Sequence, residues 1–200
     1  MESLFSDKIL EHMQENRLLS TCQQGFDPGR SCNIQLIKCL DVWTRILDES
    51  SNLDAIYLDF SKAFDSVPNR RMIVKLESYG ITGDILDWVT SFLRNRTQRI
   101  MVNGETSEWM QVASGVPQGI VLGPVLFVVF INDMPEVTHS FIQMFADDAK
   151  IFREIANTTD AKDLQDDIYK LVEWSKTWNM VFNVEKCKVV HLGKSNNNTD

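Results

Sequence analysis

The sequence predicts an α+β fold with a ferredoxin-like core, a split βαβ antiparallel sheet that carries helices on one face. Apolar residues recur at helical spacing in long segments, and short apolar runs bounded by turn residues lie between them. The composition, 44% apolar and 10% aromatic among 200 residues, can fill a core. Omitting residues 66–113 leaves the order strand, helix, strand, strand, helix, strand, which is the order of this core.

The individual elements follow from periodicity and from turn residues. In chain order, we predict helices at 6–18 and 31–47, a strand at 53–60, helices at 70–79 and 84–93, a hairpin over 97–113, a helix at 121–134, strands at 141–146 and 149–152, a helix at 160–178, and strands at 180–183 and 188–192. Asn103-Gly104 supplies the positive φ angles of the hairpin turn. The predicted buried stripe of the second helix consists of Ile34, Ile37, Leu40, Ile46 and Leu47.

Three acidic residues fall where the predicted strands meet. Asp59 lies at the carboxyl end of the first strand, and Asp147 and Asp148 alone form the predicted turn between the second and third core strands. Because the first strand lies beside the third in this fold, the three carboxylates are expected to converge at one end of the sheet. Mg²⁺, which prefers hard oxygen ligands, would relieve their repulsion. The alternative is a pair of exposed turn aspartates and an unrelated acid at a strand end.

The charge balance leaves the binding partner open. The formal net charge is −8, from 28 acidic and 20 basic residues, which by itself argues against a nucleic-acid-binding domain. Arg94, Arg96 and Arg99 nevertheless lie within one short stretch. This stretch is either a solvated face or a surface that contacts nucleic acid.

The sequence predicts an intracellular protein that does not enter a membrane. No apolar run approaches the roughly 20 residues that cross a bilayer, and the first residues do not resemble a signal peptide. The four cysteines form no C-x-x-C pair, which favours reduced thiols and disfavours a zinc site. The sequence does not distinguish nucleus from cytoplasm and does not indicate an oligomeric state.

Three segments stand in a fixed order along the chain: Tyr57–Asp65 (YLDFSKAFD), Ser114–Pro124 (SGVPQGIVLGP) and Phe145–Asp148 (FADD). They resemble motifs A, B and C of reverse transcriptases, and their wording is closest to the polymerases of non-LTR (LINE-type) retrotransposons. Two further sets resemble the fingers segment before motif A and the region around motif D: Gln24-Gly25-Phe26 with Gly29-Arg30-Ser31, and Trp174, Trp178, Asn183, Lys186 and Cys187. The resemblance extends from the first helix to about Lys194.

This resemblance implies a polymerase palm with partial fingers. The implied division is partial fingers at 1–52, palm at 53–65 and 114–194, an insertion between fingers and palm at 66–113, and a frayed tail at 195–200. By this resemblance, the upstream fingers element, which should precede Met1, is absent, and the sequence ends at Asp200 before the primer grip and the thumb.

The resemblance also implies an RNA-directed DNA polymerase that uses two Mg²⁺ ions, with Mn²⁺ as an alternative. Its partners would be an RNA template, a DNA primer and deoxynucleoside triphosphates. Asp59 and Asp147 would hold the ions, Asp148 would assist, and the backbone carbonyl of Phe60 would join them. Lys186 would protonate the departing pyrophosphate as a general acid, or is an edge-strand lysine that opposes aggregation.

Three residues of motifs A and B are expected to face the nucleotide. Phe64 would exclude a 2′-hydroxyl, the group that marks a ribonucleotide, or is core filler. Gln118 would lie against the incoming nucleotide and the template, with Gly119 allowing close backbone approach; the alternative is a plain turn. Trp174 and Trp178 are more typical of core packing than of base stacking.

Two other functions stay open at this stage. Asp27 stands where the family places an arginine that helps to hold triphosphate, which favours a catalytically inactive truncated remnant that acts at most as a nucleic-acid or protein interaction module. A nucleotide cyclase shares the palm and its metal-binding acids. Phe64 and Gln118 argue against the cyclase, which needs no contact with a template.

Overall fold

The computed structural model describes residues 1–25 and 31–194. The predictions that concern Phe26–Arg30, Asp27 among them, and the tail at 195–200 therefore lie outside the described residues. The chain forms two compact units: a helical unit, Met1–Leu18 with Lys62–Phe130, and a sheet unit, Leu19–Ser61 with Ile131–Asp200. The division into fingers and palm stays a prediction.

The elements agree closely with those expected from the sequence. In chain order they are α1 (Glu2–Glu15), α2 (Cys32–Asp48), β1 (Asn52–Leu58), α3 (Ala63–Ser66), α4 (Asn69–Ser78), α5 (Gly83–Leu93), β2 (Thr97–Gln98), β3 (Met101–Val102), β4 (Glu105–Thr106), β5 (Met110–Gln111), α6 (Leu122–Ile131), a 3₁₀ turn (Met134–Val137), β6 (Phe141–Phe145), β7 (Asp148–Ile155), α7 (Thr158–Trp178) and β8 (Lys188–Leu192). None of the described helices is both long and apolar enough to cross a lipid bilayer.

The sheet unit is built on a four-stranded antiparallel sheet in the order β6-β7-β1-β8. The first core strand thus lies between the third and the fourth, as the ferredoxin-like prediction requires. In the register, Leu58 lies opposite Ala149 and Phe145 opposite Asp148. The last residues of β1 and the turn between β6 and β7 therefore lie at the same end of the sheet.

Two helices cover opposite faces of this sheet: α7 is the second helix predicted for the core, and α2 comes from the segment predicted as partial fingers. Cys39 and Ile46 of α2 pack against Leu53, Ala55 and Phe152. Arg153 is the neighbour of Phe152 in β7, and its side chain points to the other face, because successive strand residues alternate. There it pairs with Asp163 of α7 at 2.6 Å.

The buried stripe predicted for α2 is wrong in part. Ile46 is buried, but Ile34, Ile37 and Leu40 are 39%, 65% and 46% exposed. The face that meets the sheet carries Gln35 and Cys39 instead. Apolar residues occur on more than one side of this helix, so periodicity alone could not identify the side that packs. The helix does begin as expected, because the Ser31 side chain accepts a hydrogen bond from Ile34 N.

Two predictions near the acidic residues also need correction. The turn between β6 and β7 consists of Ala146 and Asp147, because Asp148 already pairs with Phe145 in the ladder. Ala146, not a second aspartate, takes the left-handed conformation there, with φ +53°. The strand expected at 180–183 is reduced to one bridge, between Phe60 and Phe182.

The helical unit packs through aromatic and apolar contacts. Phe5 of α1 stacks on Trp88 of α5 with ring centroids 4.0 Å apart, and Ile9 and Met13 of α1 are fully buried. The hairpin forms as predicted: β3 pairs with β4 across Asn103 and Gly104, whose φ angles are +51° and +87°.

Candidate active site

Asp59 is held at the end of β1 by its backbone. Its carbonyl accepts a 2.7 Å hydrogen bond from Asn183 N, and Ser61 N donates to Val181 O at 2.8 Å. Between these two bonds the buried Phe60 ring stacks on Phe182, with centroids 4.7 Å apart. The carboxylate of Asp59 is consequently attached to a backbone that has little freedom to move.

The carboxyl of Asp148 lies near enough to Asp147 and Asp59 for their charges to affect its pKa. Asp148 is an exposed residue of β7 whose carboxyl is partly desolvated. This desolvation raises the pKa of Asp148, the charges of Asp147 and Asp59 raise it further, and the charge of Lys186 lowers it. Lys186 Nζ lies 3.4 Å from Asp59 Oδ1. The structure thus places Asp59 at the same end of the sheet as Asp147 and Asp148, and Lys186 beside Asp59, although these segments are distant in the sequence.

The donor set fits a hard cation in chemical type. Asp59 Oδ1 is buried and accepts no hydrogen bond from the part of the chain that the structure describes. It therefore has unused acceptor capacity beside other carboxylates. Among residues 1–25 and 31–194, no three His, Cys, Asp or Glu side chains are close enough together to hold a metal ion. Cation binding would thus require these carboxylates to draw closer than they lie here.

Residues 23–25 lie against the turn that carries Asp147 and hydrogen-bond to it. Gln23 is 3% exposed, and its Oε1 accepts hydrogen bonds from Ala146 N at 3.0 Å and from Gly25 N at 2.8 Å. Sequence reasoning missed Gln23. Only the parallel bridge between Gln23 and Met144 brings it to this turn, and no local pattern indicates that pairing.

In the helical unit, the motif B loop is attached to the segment after Asp59. Val116 N donates to Phe64 O at 2.8 Å, and Ser114 Oγ donates to Asp65 O at 2.9 Å. The exposed Gln118 donates from Nε2 to Asp65 Oδ1 at 3.0 Å. Asp65, to which the sequence assigned no role, thus fixes the amide of a predicted nucleotide-binding residue.

Two glycines of motif B, Gly119 and Gly123, are favoured for different reasons. Gly119 has φ +77°, and a β-carbon there would have no atom within 4 Å. Its conformation, rather than a close contact in this structure, favours glycine. At Gly123 a β-carbon would lie 2.0 Å from Pro117 O, so only glycine allows the loop to close onto α6.

The aromatic residues singled out in the sequence have definite neighbours. Phe64 is half-buried and stacks on the fully buried Phe127, with ring centroids 4.5 Å apart. Trp174 lies in the core, as expected, and its Nε1 donates to Asp133 Oδ1 at 3.0 Å. One face of Phe64 is therefore used in packing.

The three arginines have different surroundings. The half-buried Arg96 donates from Nε to Leu93 O at 3.4 Å and from Nη2 to Ser114 O at 3.3 Å and to Gly115 O. Arg99 lies over the Trp109 ring, 4.7 Å from its centroid. Arg94 is exposed. Arg96 thus supports the motif B loop.

The chain belongs to the reverse transcriptase (RNA-dependent DNA polymerase) family, whose sequence model matches residues 1–199. It is 31% identical over 201 residues to the RNA-directed DNA polymerase from mobile element jockey of Drosophila melanogaster, covering 90% of this chain. It is 28% identical over 191 residues to the probable RNA-directed DNA polymerase from transposon X-element of the same species, covering 92% of this chain. These relatives confirm the resemblance to non-LTR retrotransposon polymerases. The chain spans 22% and 21% of their lengths.

Solved telomerase structures share the fold. The apo telomerase of Candida tropicalis superposes with a TM-score of 0.73 at 12% identity, over 98% of this chain and 37% of that one. The telomerase of Candida albicans, in complex with a TWJ fragment of telomeric RNA, also gives 0.73 at 12% identity, over 99% of this chain and 35% of that one. At this identity the likeness establishes the fold alone, which confirms the α+β palm prediction.

Proposed function

We propose that this chain is the catalytic palm of an RNA-directed DNA polymerase of a non-LTR retrotransposon. The observation that carries the proposal is the strand register, which places Asp59, directly after Leu58, at the same end of the sheet as Asp147 and Asp148. Membership of the reverse transcriptase family supports it. Pro117-Gln118-Gly119 favours a template-dependent enzyme over a nucleotide cyclase.

The acids would act as ligands for two divalent cations, Mg²⁺ or Mn²⁺. Asp59 and Asp147 would hold the ions, with help from Asp148 and the Phe60 carbonyl. When bound, such ions activate an attacking 3′-hydroxyl and stabilise a departing pyrophosphate. Lys186, whose ammonium lies at Asp59, would give a proton to the pyrophosphate as a general acid.

The substrate end of the reaction is assigned to residues of the helical unit. The Phe64 ring would leave no room for a 2′-hydroxyl and so select deoxynucleotides. The Gln118 amide would contact the incoming nucleotide and the template, beside Gly119. The exposed Arg94 and Arg99, together with Arg96, would contact the phosphates of an RNA template and a DNA primer.

An intracellular location accompanies this proposal. All four cysteines lie in the described part of the chain and are free thiols. Free thiols are typical of reducing compartments.

Primer extension on an RNA template tests the proposal. The purified chain is expected to extend an annealed DNA primer with deoxynucleotides and Mg²⁺, and chelation by EDTA is expected to stop extension. The Asp147→Asn variant should lose at least about a hundredfold in rate, since changes outside the ligand set of a metal already cost about 10–100-fold. Asp166→Asn, an exposed acid on α7, is the matched control and should retain activity.

Two results would count against the proposal. Extension that survives Asp147→Asn would contradict the assigned roles. A wild-type chain that binds the primer–template but does not extend it at any Mg²⁺ concentration would favour the inactive interaction module instead.

A further inference from the structure

We propose that Gln23 is a positioning residue for the acidic site, which it serves by clasping the backbone of the turn that carries Asp147. This inference rests on the proposed function and names a residue that neither motif A nor motif C contains. Gln23 touches no predicted substrate or cation. It acts through Ala146.

The clasp contacts both sides of the Ala146 residue. Gln23 Oε1 accepts a hydrogen bond from Ala146 N at 3.0 Å, and Gln23 Nε2 donates to Ala146 O at 3.4 Å. The side chain is 3% exposed, so water does not compete for these bonds. A buried side-chain amide that bonds both the backbone N–H and the backbone C=O of one residue restricts the φ and ψ angles of that residue.

The surrounding segment holds Gln23 in place. Gly25 N donates to the same Oε1 at 2.8 Å. Met144 N donates to Cys22 O, and Gln24 N donates to Met144 O, each at 2.9 Å. A β-carbon at residue 25 would lie 2.6 Å from Ala146 N. The glycine therefore lets the segment approach the turn closely enough for the clasp to form.

Ala146 needs such a constraint. Its φ of +53° is left-handed, a conformation that a residue with a β-carbon rarely adopts and that persists where the surrounding structure imposes it. Asp147 follows directly in the same two-residue turn, whereas Asp148 is already paired in the β6–β7 ladder, so a change in the Ala146 angles would turn the Asp147 carboxylate first. Gln23 thus sets the direction of the Asp147 carboxylate, at the edge of the acidic site, without touching it.

The matched pair Gln23→Met and Gln24→Met tests this role. Methionine keeps the length and the apolar bulk of glutamine but cannot clasp the Ala146 peptide groups. Gln24 is also buried, and its Nε2 donates to Thr21 O at 2.9 Å instead. Binding of Mn²⁺ alone, followed by the loss of the free-ion electron paramagnetic resonance signal, is expected to weaken about tenfold in Gln23→Met. Gln24→Met should bind as the wild type does.

A double variant separates positioning from general folding. Glycine adopts positive φ without strain, so Ala146→Gly should restore much of the Mn²⁺ affinity when combined with Gln23→Met. A role limited to core stability gives no reason for such a rescue. Equal weakening in the two methionine variants, or no rescue, would overturn the proposal.

Amide hydrogen exchange distinguishes failure of this inference from failure of the proposed function. In the wild type the Ala146 amide should exchange slowly, and in Gln23→Met it should exchange at least about tenfold faster, while the Met144 amide stays protected. Unchanged Ala146 exchange in Gln23→Met contradicts the clasp itself. A wild-type chain with a protected Ala146 amide that binds no Mn²⁺ and extends no primer contradicts the proposed function.

Discussion

Lys186 Nζ lies 3.4 Å from Oδ1 of Asp59, although 127 positions separate the two residues in the chain. The backbone explains the approach. Asn183 N bonds to Asp59 O, and the turn that follows is closed by hydrogen bonds from Lys186 N and Cys187 N to Asn183 O. The segment before β8 therefore places the Lys186 ammonium at the acidic end of the sheet.

Replacement of Lys186 by glutamine is expected to lower the maximal rate of primer extension while leaving the KM for deoxynucleotide nearly unchanged. A general acid contributes to the transition state by about 10²–10⁴-fold, so a loss of about a hundredfold is expected. Lys188→Gln is the control, because Lys188 is exposed and donates to Glu185 O instead. Steady-state kinetics would contradict the role if both variants lost activity equally, or if only KM changed.

Asp148 should destabilise the fold at neutral pH in the absence of divalent cations. Partial desolvation and the charges of Asp147 and Asp59 raise its pKa above the ordinary value of 3.8, so the folded state binds the proton more tightly than the unfolded chain does. The contribution of Asp148 to stability therefore grows as pH falls through the window from the raised pKa to 3.8, and declines as pH rises through it.

Thermal unfolding in EDTA tests this sign. Asp148→Asn is expected to raise Tm at pH 7, by a small amount because solvent screens the exposed Asp148 carboxylate. The difference from wild type should vanish below pH 3.8, where the wild-type carboxyl is itself protonated. Asp166→Asn should leave Tm nearly unchanged at both pH values. A lower Tm for Asp148→Asn at pH 7 would contradict the repulsion among the three acids.

The bond from Gln118 to Asp65 is expected to affect substrate binding. Asp65→Ala removes the acceptor that orients the Gln118 amide, and KM for deoxynucleotide should rise several-fold, in line with the roughly 1 kcal/mol of a single exposed hydrogen bond. Asp65→Asn retains an oxygen acceptor at the same place and should behave nearly as the wild type. If alanine and asparagine raise KM equally, the charge of Asp65 matters rather than its hydrogen bond to Gln118.

Arg94 and Arg96 should respond differently to replacement by alanine. Arg94 is exposed, so its loss should reduce the salt dependence of primer–template binding by about one unit of slope. Arg96 donates to three backbone carbonyls, so its loss should lower the free energy of unfolding by about 1.5–3 kcal/mol. Binding titrations at several salt concentrations and denaturant unfolding separate the two effects. An unchanged unfolding free energy for Arg96→Ala would contradict its supporting role.

Much of the architecture could be predicted because it depends on short-range signals. Asn103-Gly104 fixes a tight turn, Ser31 caps a helix, and the order of the strands determines which ones pair. The convergence of Asp59 with Asp147 followed from that order alone. Motif wording then allowed roles to be proposed for residues such as Phe64, whose packing on Phe127 no local pattern indicates.

The parts that were missed depend on long-range contacts. The packed face of α2 could not be identified, because Ile37 and Cys39 are both apolar and only the sheet selects between them. The turn before Asp148 was misplaced by one residue, since a positive φ at an alanine has no signature in the sequence. Gln23 and Asp65 were overlooked for the same reason: each acts on a partner far away in the chain.

The position of a bound cation tests the central claim most directly. Crystals of the chain grown with Mn²⁺ should give an anomalous diffraction peak between Asp59 and Asp147, about 2 Å from a carboxylate oxygen of each, with the Lys186 ammonium displaced from Asp59 Oδ1. The peak should be absent in Asp147→Asn. Mn²⁺ bound elsewhere, with Lys186 still paired to Asp59 in a chain that extends primers, would contradict the account.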